Sequence, residues 1–360
     1  MTRRTNRRKC VWMAIMGLIV PGAARALDVT LYGFVHVDTV YMDTQQMFRD
    51  NGDRVFYVTG SKGENFNIHA RQTRFGLKAA KEEDGYNLSG AVEMDFYGDE
   101  SQVASNEISN GIRMRKAFVS AQRGPHVVLA GQTADVVSPL LPDTFDFSLG
   151  LYSGNIGFWR PQVRYENSSF GPFRFQASIN RAYSRRENMA RPDGQARIGY
   201  QSAHLDAGVS GLYGRESQTA HPLPAAGAKG SVDAGALDLK VKWGSLVFSG
   251  EAYTGENIAD YFGLSGFKQK EDGGWAEIKY LQTRWSAAAG HARVKLRDGA
   301  TIPLNTNLEN RKTYGNVRYN LTKSLSTGLE YTYLEAIYKD QPEAKRYFAN
   351  RWNWMVHYEF

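Results

Sequence analysis

The sequence predicts an all-β fold, a transmembrane antiparallel β-barrel of about sixteen strands. Three observations predict it: a secretory leader, a run of candidate strands joined by alternately long and short connections, and a last strand with one aromatic face ending at Phe360.

The leader comes first. Arg3, Arg4, Arg7, Arg8 and Lys9 precede an apolar run from Val11 to Val20, followed by Pro21-Gly22 and Ala24-Arg25-Ala26. This charged, apolar, small-residue order is that of a signal peptide cut after Ala26. The alternative is a membrane anchor, but about ten apolar residues fall short of the roughly twenty that span a bilayer. Cys10 precedes the apolar run, which argues against a lipid-anchored cysteine. The expected organisation is a cleaved leader over residues 1–26 and one barrel domain over residues 27–360.

Cleavage changes the meaning of the composition. The chain has 44 basic and 37 acidic residues, but residues 1–26 hold six basic and no acidic ones, which leaves 38 against 37. A near-neutral chain gives no reason to expect nucleic acid as a partner. The single cysteine also leaves with the leader, so neither disulfides nor thiolate metal sites are expected, and no cofactor is called for. Beyond residue 26 no apolar stretch approaches the length of a membrane helix, and the mean hydropathy of the whole chain is −0.47. This excludes a helical membrane protein, but a barrel survives because inward-facing polar residues dilute the hydropathy of each strand.

Candidate strands lie at 29–42, 64–79, 86–97, 110–122, 125–132, 160–168, 172–181, 194–202, 205–213, 233–243, 245–255, 273–281, 284–293, 311–320, 324–339 and 347–360. An even count suits a closed bacterial barrel with both termini on one side. Period-two alternation is plain where Phe173, Phe175, Ala177 and Ile179 interleave with Arg174, Gln176, Ser178 and Asn180. A soluble sandwich also alternates, so the connections discriminate better. Long ones cover roughly 43–63, 98–109, 133–159, 182–193, 214–232, 256–272, 294–310 and 340–346, and tight turns such as Arg123-Gly124-Pro125 and Trp243-Gly244-Ser245 fall between them. In the last strand Trp352, Trp354, Val356, Tyr358 and Phe360 share one face, while Asn353, Met355, His357 and Glu359 share the other. An aromatic face of this kind belongs against lipid.

Several stretches carry a family resemblance: Arg71-Gln-Thr-Arg-Phe-Gly-Leu-Lys78, Val92-Glu-Met-Asp-Phe-Tyr97, Arg113-Met-Arg-Lys-Ala-Phe-Val119, Leu129-Ala-Gly-Gln-Thr133, Ser138-Pro-Leu-Leu-Pro142 and Arg160-Pro-Gln-Val-Arg-Tyr165. In these the chain resembles the DcaP-like porins, trimeric channels of the Gram-negative outer membrane. The resemblance implies a homotrimer, passage of small organic anions such as dicarboxylates, and a third extracellular loop folded into the lumen. Here that loop runs from about Ala134 to Phe158, and its apolar residues suit packing against an inner wall. Asp135, Asp143 and Asp146 would then stand near the pore; the alternative is an ordinary surface loop with turn-forming aspartates. Family members can carry a helical segment before the barrel, whereas this chain enters its first strand at Asp28. A C-terminal Phe360 after alternating apolar residues resembles the signal read by the barrel-assembly machinery.

Alternation assigns Arg74, Arg113, Arg115, Arg164 and Arg197, on the second, fourth, sixth and eighth strands, to the lumen. Guanidinium is permanently charged and offers a planar fork to carboxylates, so such a wall attracts and orients anions. Alternatively each arginine pairs with an acid such as Glu93, Asp95 or Glu166 and braces the barrel; a braced arginine can still face a solute. Arg71 has the opposite parity, which leaves its facing open.

An outer-membrane hydrolase is the main competing reading. It needs a histidine beside a nucleophile, and no motif places His36, His69, His126, His204, His221, His291 or His357 next to a serine. No enzyme is therefore expected. A receptor or adhesin using the long loops is a third reading. Asp50-Asn51-Gly52-Asp53 hints at calcium, but the full ligand spacing is missing and a turn is the simpler account.

Overall fold

The computed structural model describes residues 27–48, 54–98, 111–181, 191–215, 231–266, 269–297 and 302–360. The expected leader, Asp50-Asn51-Gly52-Asp53, His221 and most of the second, fourth and fifth long loops lie outside them. Among the described residues the chain forms one closed antiparallel barrel of sixteen staves. They are β1 (Asp28–Met42), β2 (Asn65–His69 and Arg74–Glu83), β3 (Tyr86–Asp95), β4 (Arg113–Arg123), β5 (His126–Ala134), β6 (Trp159–Phe170), β7 (Phe173–Asn180) and β8 (Asp193–Gln201). The second half comprises β9 (Leu205–Arg215), β10 (Ser231–Trp243), β11 (Leu246–Glu256), β12 (Lys270–Leu281), β13 (Trp285–Leu296), β14 (Asn307–Asn320), β15 (Leu325–Tyr338) and β16 (Lys345–Glu359).

Closure follows from β1 having partners on both edges. It pairs with β16 from Phe34 opposite Glu359 to Met42 opposite Arg351, and with both pieces of β2 on its other side. Phe360 completes the seam: its N–H donates to Gly33 O at 3.1 Å, and Gly33 N–H donates back to Phe360 O at 3.3 Å. With no free edge, every strand's ladder groups can be satisfied within the wall, as a bilayer demands.

The second strand, expected to run unbroken over 64–79, is interrupted at residues 70–73. A turn closed by Thr73 N–H on Ala70 O at 3.0 Å inserts there. The insertion changes which parity faces inward. Asp38 lies opposite His69 while Phe34 lies opposite Arg74, so odd residues of the first piece and even residues of the second share the inner face. A strand period of two cannot be carried through such a break.

The terminal alternation holds in the fold. Trp352, Trp354, Tyr358 and Phe360 are 46–52 % exposed on the outer surface, whereas the interleaved Arg351, Asn353 and Met355 are fully buried inside.

The inside is not uniformly polar. Leu212, Val232, Ala234, Ala236, Tyr253 and Val294 line the inner faces of β9–β11 and β13, and pack against Val137 and Ile156 of the third loop and Ile258 and Tyr261 of the sixth. A second cluster joins the first loop to β15 and β16 through Val55, Val58, Leu334, Ala336 and Ala349. Phe56, Leu151 and Phe262 tie the three loops together. Burial of this apolar surface, at roughly 25 cal/mol per Å², holds loops inside a lumen they would otherwise leave to water.

Candidate functional site: the loop-narrowed lumen

The third long loop, residues 135–158, turns inward from β5 and returns at β6. Its neck closes on itself, with Asp135 N–H donating to Phe158 O and Phe158 N–H to the Asp135 carboxylate, both at 2.8 Å. Beyond the neck the loop runs along the far wall, held mainly by wall acids that accept its main-chain N–H groups. Glu251 on β11 accepts from Leu140 N–H at 2.6 Å and from the Ser138 hydroxyl. Glu277 on β12 accepts from Asp143 N–H at 2.7 Å. Glu330 on β15 accepts from Phe145 N–H at 2.7 Å, Asp146 N–H at 3.3 Å and the Thr144 hydroxyl at 2.8 Å. A loop enclosed by a barrel must satisfy its backbone somewhere, and carboxylates make strong acceptors for it.

The three aspartates expected near the pore take part in the same fastening. Asp146 is fully buried, pairs with Lys312 on β14, and accepts from Val55 N–H at 3.3 Å. Burial acts to raise its carboxyl, but the Lys312 and Arg351 charges prevail and hold it below the usual carboxylate range. Asp135 takes Arg160 Nε at 2.7 Å and Gln195 Nε2 at 2.9 Å. Asp143 is the most open of the three; it pairs with Lys279 and lies 3.6 Å from Arg318.

The third loop covers the opposite wall, β2–β4, only in part. Here the sequence-selected arginines converge with acids beside them. Arg113 forks onto Asp95 through Nε at 3.0 Å and Nη2 at 2.6 Å. Arg115 bridges Glu93 at 2.8 Å and Asp95 at 2.9 Å. Arg74 Nε lies 3.6 Å from Glu93, and Lys116 Nζ lies 3.3 Å from the same carboxylate. Four cations thus share two carboxylates. Aromatic rings support the guanidinium faces: Arg115 sits 3.8 Å from the Trp159 ring centre, and Arg113 packs near Tyr97 and Phe147. Phe147 belongs to the third loop and stacks on Tyr97 at 4.6 Å, so the loop reaches across to this wall.

The five arginines divide by exposure. Arg74 and Arg113 keep 21 % of their side chains open, whereas Arg115 keeps 4 % and acts as a brace. Arg164 pairs with Glu166 at 2.8 Å. Arg197 forks onto Asp238 at 2.9 and 2.6 Å and lies flat on the wall, in space that a side chain at Gly199 or Gly208 would fill.

A sequence profile described as Gram-negative porin matches residues 12–336. The chain belongs to the Gram-negative porin family. Among solved structures, the outer membrane channel DcaP of Acinetobacter baumannii superposes with a TM-score of 0.79 at 21 % identity, covering 93 % of this chain and 97 % of that one. The anion-selective porin from Comamonas acidovorans gives 0.65 at 14 % identity, over 93 % and 100 % of the two chains. The trimer form of OmpT from Vibrio cholerae gives 0.63 at 14 % identity, over 93 % and 100 %. No curated protein matches the sequence significantly. As a Gram-negative porin the chain is an outer-membrane channel, and the lumen described above is its passage.

Sequence reasoning missed part of this porin's interior. Arg71, of uncertain facing, is buried, and its guanidinium lies 5.2 Å from the Tyr97 ring centre; the break in β2 brings it inside together with Arg74. His36, His69 and His357 gather around the buried Asp38. His36 lies 3.1 Å from that carboxylate and 3.0 Å from His357, and His69 lies 3.9 Å from the carboxylate. Parity along β1 and β16 already placed His36, Asp38 and His357 on one face. Lys312, which holds the third loop, had the same signal in β14 but no sequence partner to mark it.

Proposed function

We propose that this porin passes small hydrophilic solutes by diffusion and favours anions, dicarboxylates among them. The observation that carries the reading is the sharing of two carboxylates, Glu93 and Asp95, by Arg74, Arg113, Arg115 and Lys116. That wall holds surplus positive charge, while the third loop's aspartates are engaged with cations of their own. Arg74, Arg113 and Arg164 are the side chains positioned to meet a solute; Arg115 and Arg197 hold the wall in shape. The similarity to an anion-selective porin agrees with this preference, and the resemblance to DcaP-like channels supplies the dicarboxylate class.

The reading includes a homotrimer. The middle of the outer face of β3–β5 carries Leu88, Gly90, Val92, Ala117, Val119, Val128 and Ala130, a low apolar surface without aromatic side chains. It suits contact with another wall better than an aromatic lipid belt does. Export with cleavage after Ala26, and recognition of Phe360 by the assembly machinery, complete the proposal.

Planar-bilayer recording tests it. Purified protein is expected to close in three equal steps, with reversal potentials that favour anions. Replacing Arg74 and Arg113 with Ala should lower the anion-to-cation permeability ratio by about twofold per charge, since unit charges ~8 Å apart in water interact by about 0.5 kcal/mol. Unchanged reversal potentials would refute the arginine assignment.

A further inference from the structure

Beneath the third loop lies a cavity of about 220 Å³, bounded by the loop's two limbs and by the inner faces of β6 and β7. It lies on the periplasmic side of the loop, because Arg164 and Gln176, which border it, stand nearer the tight turn at Gly171-Pro172 than the buried Arg160 and Gln162 do. Val136, Pro139, Leu141, Leu149, Leu151 and Phe158 form most of its lining. Leu141 is 57 % exposed, so this apolar surface is open to the passage. The loop's backbone is bent to shape it: Ser138, Leu149 and Gly157, which all border the cavity, have φ of +55°, +51° and +95°. That region disfavours a bulky side chain such as leucine's, and strain of this kind is kept where a ligand site requires it.

Few polar groups around the cavity are left for a solute. Asp135, Ser138 and Asn155 are engaged by Arg160, Glu251 and the Leu149 carbonyl. Arg164 pairs with Glu166 through Nε at 2.8 Å and donates from Nη1 to Ala134 O at 3.4 Å, but a guanidinium has five N–H groups and this side chain stays 14 % open. The Gln176 amide makes no hydrogen bond among the described residues. Trp159 borders the same cavity and carries Arg115 at 3.8 Å from its ring centre, so the pocket adjoins the arginine wall.

An apolar hollow with a cation and a free amide at its border suits a solute with one charged end and one hydrocarbon end. The hollow is smaller than the roughly 300 Å³ or more taken by drug-sized ligands, so a short chain fills it. A dicarboxylate fits it poorly, since its second charge would have to shed water among leucines.

We propose that this cavity is a subsite for short-chain aliphatic monocarboxylates, with the chain held among Leu141, Leu149 and Phe158 and the carboxylate on Arg164 and Gln176. It rests on the reading of Arg164 as a side chain that meets the solute. Single-channel chloride current tests it, recorded with propanoate, butanoate, pentanoate, hexanoate or adipate added. The half-blocking concentration should fall about threefold to fourfold with each methylene from propanoate to hexanoate, and adipate should block more weakly than hexanoate. L141N with L149N should flatten the series; asparagine tolerates the left-handed backbone at residue 149. R164Q should weaken every monocarboxylate alike and leave the slope. Heat-modifiable electrophoretic mobility shows which variants have folded, and the exposed position of Leu141 makes L141N alone the folded variant if the pair fails, with a reduced slope expected. A flat series in the parent, a slope undiminished in the folded asparagine variant, adipate blocking as well as hexanoate, or block unchanged by R164Q would each overturn the proposal. The monocarboxylates carry equal charge, so their slope is read whether or not the channel favours anions; loss of anion preference in the parent would refute the reading of the arginine wall alone.

Discussion

The two walls of the lumen use the same residue types differently. On β2–β4, carboxylates hold arginines, and Arg74 and Arg113 still keep about a fifth of their side chains exposed. On β11, β12 and β15, Glu251, Glu277 and Glu330 hold the backbone of the third loop, and little of them is left for a solute. A charged residue inside a barrel is therefore not a selectivity residue by virtue of facing inward. What occupies its hydrogen-bonding groups decides whether it speaks to the solute or to the protein.

The sharpest way to break the contrast is to release the loop. Lys312 and Asp146 are both buried to within about a hundredth of their surface, and removing one member of such a pair costs about 3–5 kcal/mol. Lys312→Met is expected to loosen the loop and raise open-channel noise, with proteolysis inside residues 135–158. Pairing it with Asp146→Leu should restore quiet channels. A silent, protease-resistant K312M channel would show that the apolar packing alone fixes the loop.

A smaller effect is expected at the loop's closest approach to the wall. Gly154 has φ +128°, and a Cβ there would come within 2.2 Å of Gly274 O and 2.7 Å of the Arg293 backbone. Gly154→Ala must push the loop toward the lumen, at a cost of about 1–3 kcal/mol. Single-channel conductance should fall while anion preference persists, because the arginine wall is untouched. Conductance equal to the parent's would place the narrowest point elsewhere.

The smallest effect concerns the sixth loop, which covers the third through Gly157 N–H on Tyr261 O at 3.0 Å and Tyr152 N–H on Phe262 O at 2.7 Å. Burial pushes the Asp260 carboxyl up to about 6, against the pull of Arg160. A carboxyl raised in the folded state binds its proton more tightly there than when unfolded. Stability is therefore full below the unfolded value near 4 and declines as pH rises through about 6. The melting temperature in detergent should drop by a few degrees over that window, and Asp260→Asn should flatten the profile. A parent profile that is already flat would mean the loop relaxes to hydrate the charge.

The barrel was legible because its signals are local and repeated. Alternation, tight Gly-containing turns and the long loops between them recur along the chain, so an error at one boundary does not propagate. The break at residues 70–73 was not legible, since a turn inserted inside a strand leaves composition unchanged and alters only parity. The lumen was partly legible for a related reason. Alternation located Arg74, Arg113, Arg115, Arg164 and Arg197, but the division into open and braced side chains depends on Glu93 and Asp95, on the adjoining stave, and on Asp238, two staves from Arg197. The aspartates of the third loop fell in the expected segment. Their partners Lys312, Arg160 and Lys279 lie up to 166 residues away in sequence, beyond any local pattern.

The way the third loop is held has a consequence for how such channels diversify. Glu251, Glu277 and Glu330 grasp mostly main-chain N–H groups, which every residue but proline provides. The course of the loop is thus encoded in the staves, while many of its side chains can drift without dislodging it. Selection can exchange the lining of the passage one residue at a time and inherit the same aperture throughout.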